Sequence, residues 1–177
     1  MSTTPGGGPP WLDQAGAAER CEALLQHTLE AVRPELVWRH GVPSSGARLA
    51  APGTPAGADL GWYVSRNRNV MTIVSPARRG ALLGVVERHW RRFGCTITSV
   101  NADPVLPAIY AVTAGGFRLA LDFGTAGNAY FTAASPAVAR SAYLEYPPGT
   151  PGSPEHPGSV EDMAPLPYVR CPFWSAL

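Results

Sequence analysis

The chain has 177 residues, 45% of them hydrophobic, and a formal net charge of +1 at pH 7. This length fits one domain with extensions, the apolar share excludes a wholly disordered chain, and the near-neutral charge predicts no strong attraction to nucleic acid or to an anionic membrane. All 14 basic residues are arginine, which is typical of a coding bias toward GC-rich codons.

Three cysteines are present, Cys21, Cys95 and Cys171. Their odd number, the lack of a CxxC pair and the lack of a histidine at ligand spacing argue against a zinc site and a disulfide framework. One disulfide bond stays open as an alternative. We predict no cofactor and no metal site.

No apolar run is long enough to span a membrane, and the N-terminus lacks the basic and apolar regions of a signal peptide. The chain as written is expected in the cytoplasm. If an export signal lies upstream of Met1, the expected location is the cell envelope or the exterior.

Residues 1–10 hold three glycines and three prolines and predict a flexible arm. A first helix is predicted over about residues 12–32, because its apolar positions recur at helical spacing. A short strand is predicted to begin at residues 37–38. Residues 41–58, rich in Gly, Pro, Ser and Ala, predict a long loop.

A strand is predicted over about residues 61–74, and apolar side chains on both of its faces favour a central position in a sheet. The polar stretch 65–69 predicts a bulge or bend in this strand. The second helix follows, with Ser75 as N-cap, Pro76 at the favoured first position and Gly94 after the last turn.

The next part of the chain carries four strand patterns in quick succession. Gly115 and Gly116 predict a two-residue hairpin turn, and residues 124–127 predict the next turn. The four predicted strands are residues 96–100, 108–113, 117–123 and 129–134. Helix, strand, helix and antiparallel meander together predict an α+β fold, a two-layer sandwich of about five mostly antiparallel strands with two helices on one face.

The composition changes after the last predicted strand. Residues 147–172 contain eight prolines, which predicts an extended polar tail that ends in an aromatic segment. We therefore predict an α+β domain over residues 11–136 and a proline-rich tail over residues 137–177, with both chain ends outside the core.

Catalytic residue sets are not recognisable in the sequence. The four histidines are scattered, no Ser-His-Asp arrangement can be defended, and Asp103 and Asp122 fit a turn and an outer strand face. The glycines of residues 124–127 do not form a phosphate-binding loop, whose lysine the chain lacks. No catalytic residue is predicted.

Arginine is concentrated between residues 61 and 95, where seven arginines face a single acidic residue, Glu87. This concentration could mark an anion-binding surface, with Arg66 and Arg68 as candidate binding residues. A solvated helix face with arginines around a strand bend is the favoured interpretation. Nucleic acid is not an expected partner.

The C-terminal segment carries three large aromatic residues, Tyr168, Phe173 and Trp174, which are unusual in an exposed tail. Either the tail folds back over an apolar groove of its own domain, or it is a recognition motif for a second protein. We favour self-docking and keep the three aromatic residues as candidate binding residues.

The stretches ARRGALLGVVERHW, TITSVNADPVLPAIYA, FRLAL and GNAYFTAASP, with LPYV and PFWS near the end, cover about two thirds of the chain. They resemble a group of small uncharacterised actinobacterial proteins, many of them secreted or lipoprotein-like. The resemblance implies a cysteine before the first main strand and another after the last, but residues 41–60 contain no cysteine and Ala137 follows Ser135-Pro136. It implies no activity.

The sequence favours a non-enzymatic binding or protein-interaction module, whose partner we expect to be another protein. The alternative is a small enzyme or small-ligand-binding protein with a cleft at the sheet edge. That alternative requires Arg66, Arg68, Asp122 or His89 to converge in one pocket. An immunity-like or chaperone-like partner of a neighbouring gene product is a third hypothesis.

Overall fold

The computed structural model describes residues 12–153 and 155–177, so the predicted arm at residues 1–10 lies outside the described residues. All strands pair antiparallel in one sheet of order β1-β3-β7-β6-β5-β4, and β2 also pairs with β3. The elements are α1 Gln14–Glu30, β1 Trp38–His40, β2 Ser44–Ala47, β3 Trp62–Val70, α2 Pro76–Arg92, β4 Thr96–Asn101, β5 Ala108–Val112, β6 Arg118–Phe123, β7 Ala129–Ala134 and α3 Val160–Met163.

The predicted α+β class is confirmed, with both long helices packed on one face of an open antiparallel sheet. The sheet has seven strands rather than about five, because β1 and β2 both pair with β3. The expectation of a continuous loop over residues 41–58 is wrong, since β2 lies within it. Its sequence SSGA carries no apolar alternation that would indicate a strand.

Local sequence sets the helix ends. The Asp13 carboxylate accepts a hydrogen bond of 2.9 Å from the Gly16 amide and so caps α1. Ser75 is the N-cap of α2, but its hydroxyl makes no capping bond and donates instead to the Ala176 carbonyl. Gly94 ends α2 with a φ of +83°, a conformation that favours glycine.

Strand β3 departs most from the sequence-based expectation. The predicted bulge at residues 65–69 is wrong, because this stretch pairs in unbroken register with β7. The irregularity lies instead in β4, between Ile97 and Ser99. The polar residues stay in the strand because alternate side chains, Arg66 and Arg68, find an acidic partner on α1.

The turn between β5 and β6 also differs from the prediction. The Gly116 amide donates to the Thr113 carbonyl at 2.9 Å, and Thr113 pairs with Phe117 across the turn. Ala114, Gly115 and Gly116 therefore form a three-residue loop, in which Gly116 has a φ of +83°.

One hydrophobic core joins the helices to the sheet. Trp90 of α2, Leu119 of β6 and Phe131 of β7 belong to the same buried cluster. The Trp90 indole N–H also donates to the Thr28 hydroxyl of α1 at 2.9 Å, so the two helices are joined by a buried hydrogen bond.

The C-terminal segment packs against the domain, in agreement with the self-docking alternative. Trp174 is 1% exposed and Val138 is 3% exposed, and both belong to the core cluster. The sequence-based expectation that residues 137–177 lie outside the core is therefore wrong for these two residues. The Trp174 indole donates to the Pro34 carbonyl at 2.7 Å. The Val169 carbonyl accepts from Ile73 at 2.8 Å, which fixes the segment beside the end of β3.

None of the helices in the described ranges is both long and apolar enough to cross a membrane.

Replacement of Trp174 tests how far the C-terminal segment stabilises the fold. We expect Trp174→Ala to lower the free energy of unfolding by about 3–5 kcal/mol, because it leaves a large cavity and an unpaired Pro34 carbonyl. Tyr168→Ala is the control, since Tyr168 is 75% exposed, and should change stability by less than about 0.5 kcal/mol. Equal denaturant midpoints for the two variants would contradict a buried Trp174.

Candidate functional site

The two candidate arginines of β3 lie side by side and share one acidic partner. Arg66 and Arg68 are two residues apart on the strand, so both side chains point to the helix-covered face. Arg68 Nη2 donates to Oε2 of Glu22 on α1. Arg66 Nε lies 3.5 Å from Oε1 of the same carboxylate, an ion pair without a hydrogen bond. Ala133 of β7 pairs with Arg66 and leaves room for the guanidinium.

The cluster holds an excess of buried positive charge. Arg66 is 2% and Arg68 is 3% exposed, and Glu22 is the one carboxylate within ion-pair distance of them in the described part of the chain. Arg66 Nε and Nη2 and Arg68 Nε have no hydrogen-bond partner among the described residues. A buried cation without full pairing is costly, so this cluster is the candidate binding site in the described part of the chain.

Aromatic rings cover both guanidinium groups. The Arg66 guanidinium carbon lies 5.1 Å from the centre of the Tyr146 ring, and that of Arg68 lies 4.6 Å from the centre of the Trp38 ring. A cation over a ring face is stabilised by the ring quadrupole, and more strongly when it is shielded from water. These contacts offset part of the cost of burial but supply no hydrogen-bond acceptor.

Arg66 lines a groove of about 690 Å³ between α1 and the segment 143–148, which we call the Arg66 groove. Tyr143 and Tyr146 contribute aromatic walls, and Glu19 and Glu145 are exposed at the mouth. Glu22 also lines the groove, so the floor carries the Arg66–Glu22 ion pair and the entrance is acidic.

The surroundings shift several pKa values. Burial lowers the pKa of Arg66 below its ordinary value, while the Glu22 carboxylate acts in the opposite direction. The guanidinium still carries its charge at neutral pH, because arginine is the most basic of the side chains. Burial raises the pKa of the neighbouring Cys21 to about 12, so this thiol stays protonated and is a poor nucleophile.

The other residues considered for a pocket lie elsewhere. Asp122 is on the helix-free face of β6, where it accepts a hydrogen bond from Tyr110. His89 is on α2, with its ring stacked 6.1 Å from the ring of Phe93. Of the four residues that the small-enzyme alternative requires to converge, only Arg66 and Arg68 meet.

The three aromatic candidates of the C-terminal segment have different environments. Trp174 is in the core, Tyr168 is largely exposed, and Phe173 is 39% exposed beneath the Arg78 guanidinium, which lies 4.5 Å from its ring centre. They do not form one continuous surface with the Arg66 groove, whose lining includes none of them.

Sequence reasoning missed Glu22 and Tyr146. Glu22 follows the buried Cys21 on α1. A carboxylate next to the apolar face of a helix is the sequence feature that could have indicated its ion pair with Arg68. Tyr146 lies in the proline-rich segment, where no periodic pattern indicates its position. No group of three or more His, Cys, Asp or Glu side chains in the described ranges could hold a metal ion.

Comparisons with known proteins add little to this geometry. No family model matches the chain, and no curated protein matches it. A solved structure of a DUF4853 family protein from Actinomyces odontolyticus is 13% identical, with 81% of this chain and 76% of that chain covered and a TM-score of 0.46. A likeness of this size supports no inference about function, and the resemblance to secreted or lipoprotein-like actinobacterial proteins stays a prediction.

Glu22→Gln tests the shared ion pair. We expect the free energy of unfolding to fall by about 3 kcal/mol, because the change leaves two buried guanidinium groups without a counter-charge. The change should cost less in an Arg68→Met background, with a coupling of about 1 kcal/mol or more in a double-mutant cycle. Glu19→Gln, one turn earlier and exposed, is the matched control. Additive effects would contradict the pairing of Arg68 with Glu22.

His40, which lies near Arg68, makes the free energy of unfolding depend on pH. Burial, and then the charge of Arg68, lower the pKa of His40 below 6.5. The unfolded chain therefore takes up this proton at a higher pH than the folded chain, and stability falls as the pH drops below about 6.5.

We expect His40→Gln to flatten the loss of stability between about pH 7 and pH 5, measured by urea unfolding. Carboxylates with lowered pKa values, such as Asp13 and Asp162, lose their stabilisation mainly below about pH 4. Burial also lowers the pKa of His89, so part of the slope between pH 7 and pH 5 remains in the variant. Parallel stability curves for the variant and the unchanged chain would disprove the assignment to His40.

Proposed function

We propose that this chain is a non-enzymatic binding protein whose Arg66 groove holds a small ligand that carries both a carboxylate and an ammonium group. The observation that carries the proposal is the Arg66 guanidinium, which is 2% exposed, lines the groove, and has an Nη2 without a hydrogen-bond partner among the described residues. Nη2 is closed off from solvent, so the side chains that cover the guanidinium, among them Tyr146, must move for a ligand group to reach Nη2 and relieve its unpaired charge.

A carboxylate is the favoured group at the floor of the groove. Nη1 of Arg66 donates to the Ser65 carbonyl and Nε lies beside Glu22, so Nη2 is the group that can donate to a carboxylate oxygen. Such charge-assisted bonds are the strongest hydrogen bonds in proteins. Glu22 hydrogen-bonds to Arg68, which lies outside the groove lining, so the charge of Arg66 is only partly balanced, and this supports an anion beside it.

An ammonium group is favoured at the entrance. Glu19 and Glu145 would repel a ligand that is only anionic, and both can attract a cation. The exposed Tyr143 ring adds a face for a cation–π contact. A zwitterion with its carboxylate inward satisfies the floor and the entrance together, whereas neither a simple anion nor a simple cation does so.

Binding without catalysis is the better supported class. The alternative of a small enzyme needs Asp122 or His89 beside the arginine pair, and neither residue lines the Arg66 groove. The small-ligand part of that alternative is retained here, with the groove located between α1 and the segment 143–148 rather than at the sheet edge. The expected cytoplasmic location has some support from the three free cysteines.

Isothermal titration calorimetry with leucine as the probe tests the proposal. We expect saturable binding of leucine at neutral pH, and weaker binding of acetate and of butylamine, each of which carries one of the two charges. Arg66→Lys and Glu145→Gln should each weaken leucine binding about tenfold or more, because the first removes the Nη2 donor of the guanidinium and the second removes a carboxylate charge. Glu161→Gln is the matched control, since Glu161 is an exposed glutamate of α3 outside the groove.

Two results would overturn this proposal. Absence of heat at about 10 mM leucine would exclude a useful affinity for a ligand of that size. Acetate binding as tight as leucine binding would remove the ammonium half of the ligand. Thermal unfolding of each variant shows whether an affinity loss reflects unfolding.

A further inference from the structure

The helix-free face of the sheet carries a second groove, of about 730 Å³, which we call the asparagine groove. Its floor includes Asn67 and Asn69 of β3 and Thr132 of β7, and its walls include Met163 and Leu166 from the C-terminal part of the chain. No charged residue is among its lining residues, in contrast to the Arg66 groove on the opposite side of β3.

Asn67 and Asn69 differ in what their carboxamides contact. The Asn67 amide donates to the Val42 carbonyl at 3.0 Å, and its oxygen accepts from the Thr132 hydroxyl at 2.8 Å. Asn69 is 8% exposed, and its carboxamide makes no hydrogen bond to another residue within the described ranges. Its carboxamide atoms are not among the buried atoms that lack a partner, so they reach solvent in the groove, where a ligand can bond to them.

Gly41 keeps the space beside these carboxamides open. A Cβ atom at Gly41 would lie 2.8 Å from the Asn67 Cβ and 3.1 Å from the Asn69 amide nitrogen. Any side chain at this position would therefore press on both asparagines, so glycine preserves the floor of the groove.

The uncharged lining residues favour a neutral ligand, and the carboxamides favour one whose hydrogen-bond donors and acceptors lie in one plane. A carboxamide offers N–H groups and an oxygen in one plane, which matches the N–H and C=O of a peptide main chain. Met163 and Leu166 are 68% and 62% exposed, and their apolar side chains can cover those of a peptide. A saccharide would need ring faces to stack on, and Tyr130 is the one aromatic side chain in the lining.

We propose that the asparagine groove binds an uncharged, extended peptide segment of a partner protein. Asn69 bonds to the main chain of the segment, and Met163 and Leu166 contact its apolar side chains. This site is separate from the proposed zwitterion site, since Asn69 and Arg66 point to opposite faces of the sheet.

Nuclear magnetic resonance of the ¹⁵N-labelled full chain tests the peptide site, because asparagine side-chain amides report directly on the groove. The probe is the blocked peptide acetyl-Leu-Ser-Leu-N-methylamide, with cellotriose as the saccharide comparison. We expect saturable shifts of the Asn69 side-chain amide and of the backbone amides near Met163 with the peptide.

Two pairs of variants locate the binding. Asn69→Leu should weaken peptide binding about fivefold to tenfold, as expected for one neutral hydrogen bond, while Thr98→Leu on the same face outside the groove should not. Met163→Asp should weaken binding more than Val160→Asp, which alters an exposed residue of the same helix outside the groove. The second pair changes exposed side chains and so stays informative if Asn69→Leu does not fold.

Three outcomes would overturn the proposal. The first is no saturable shift with the peptide at about 10 mM, a concentration that detects weak ligands of this size. The second is a shift of the Asn69 amide by cellotriose and none by the peptide. The third is equal peptide affinity for Met163→Asp and Val160→Asp.

Discussion

A single carboxylate, that of Glu22, lies between two buried guanidinium groups, and the helix layer depends on this contact. Arg66 and Arg68 point inward at positions where a strand of this type normally carries apolar residues. Without an acid on α1, both charges would have to leave the core or be neutralised. The position of α1 along β3 is thereby restricted, because one carboxylate must reach both arginines. Nonspecific apolar packing would not impose such a restriction.

The parts of the fold that could be predicted are those encoded by short-range periodicity. The spacing of Cys21, Leu24 and Leu25 gives the helix face, and the observed ends of α1 fall within two residues of the predicted ends. Alternation at Leu119 and Leu121 likewise identifies the buried face of β6, and the glycines after it mark the turn. In each case residues fewer than about ten positions apart carry the information.

The parts that could not be predicted depend on contacts between distant residues. Arg66 and Arg68 look like a solvated bend until Glu22, more than 40 positions earlier, is beside them. Trp174 looks like an exposed aromatic residue until the Pro34 carbonyl is found at its indole. The Arg66 groove needs both α1 and the segment 143–148, so the two arginines could be named from the sequence, but their shared acid and their groove could not.

The C-terminal part of the chain supplies residues to both proposed sites, and buried residues at its two ends hold it in place. Val138 and Trp174 are buried, so the chain between them is held at both ends. Between these anchors it supplies Tyr143 and Tyr146 to the Arg66 groove and Met163 and Leu166 to the asparagine groove. A ligand in either groove contacts the segment only in its packed position, so binding and packing stabilise each other by linkage. Loosening the Trp174 anchor should therefore weaken binding at both grooves, although Trp174 lines neither.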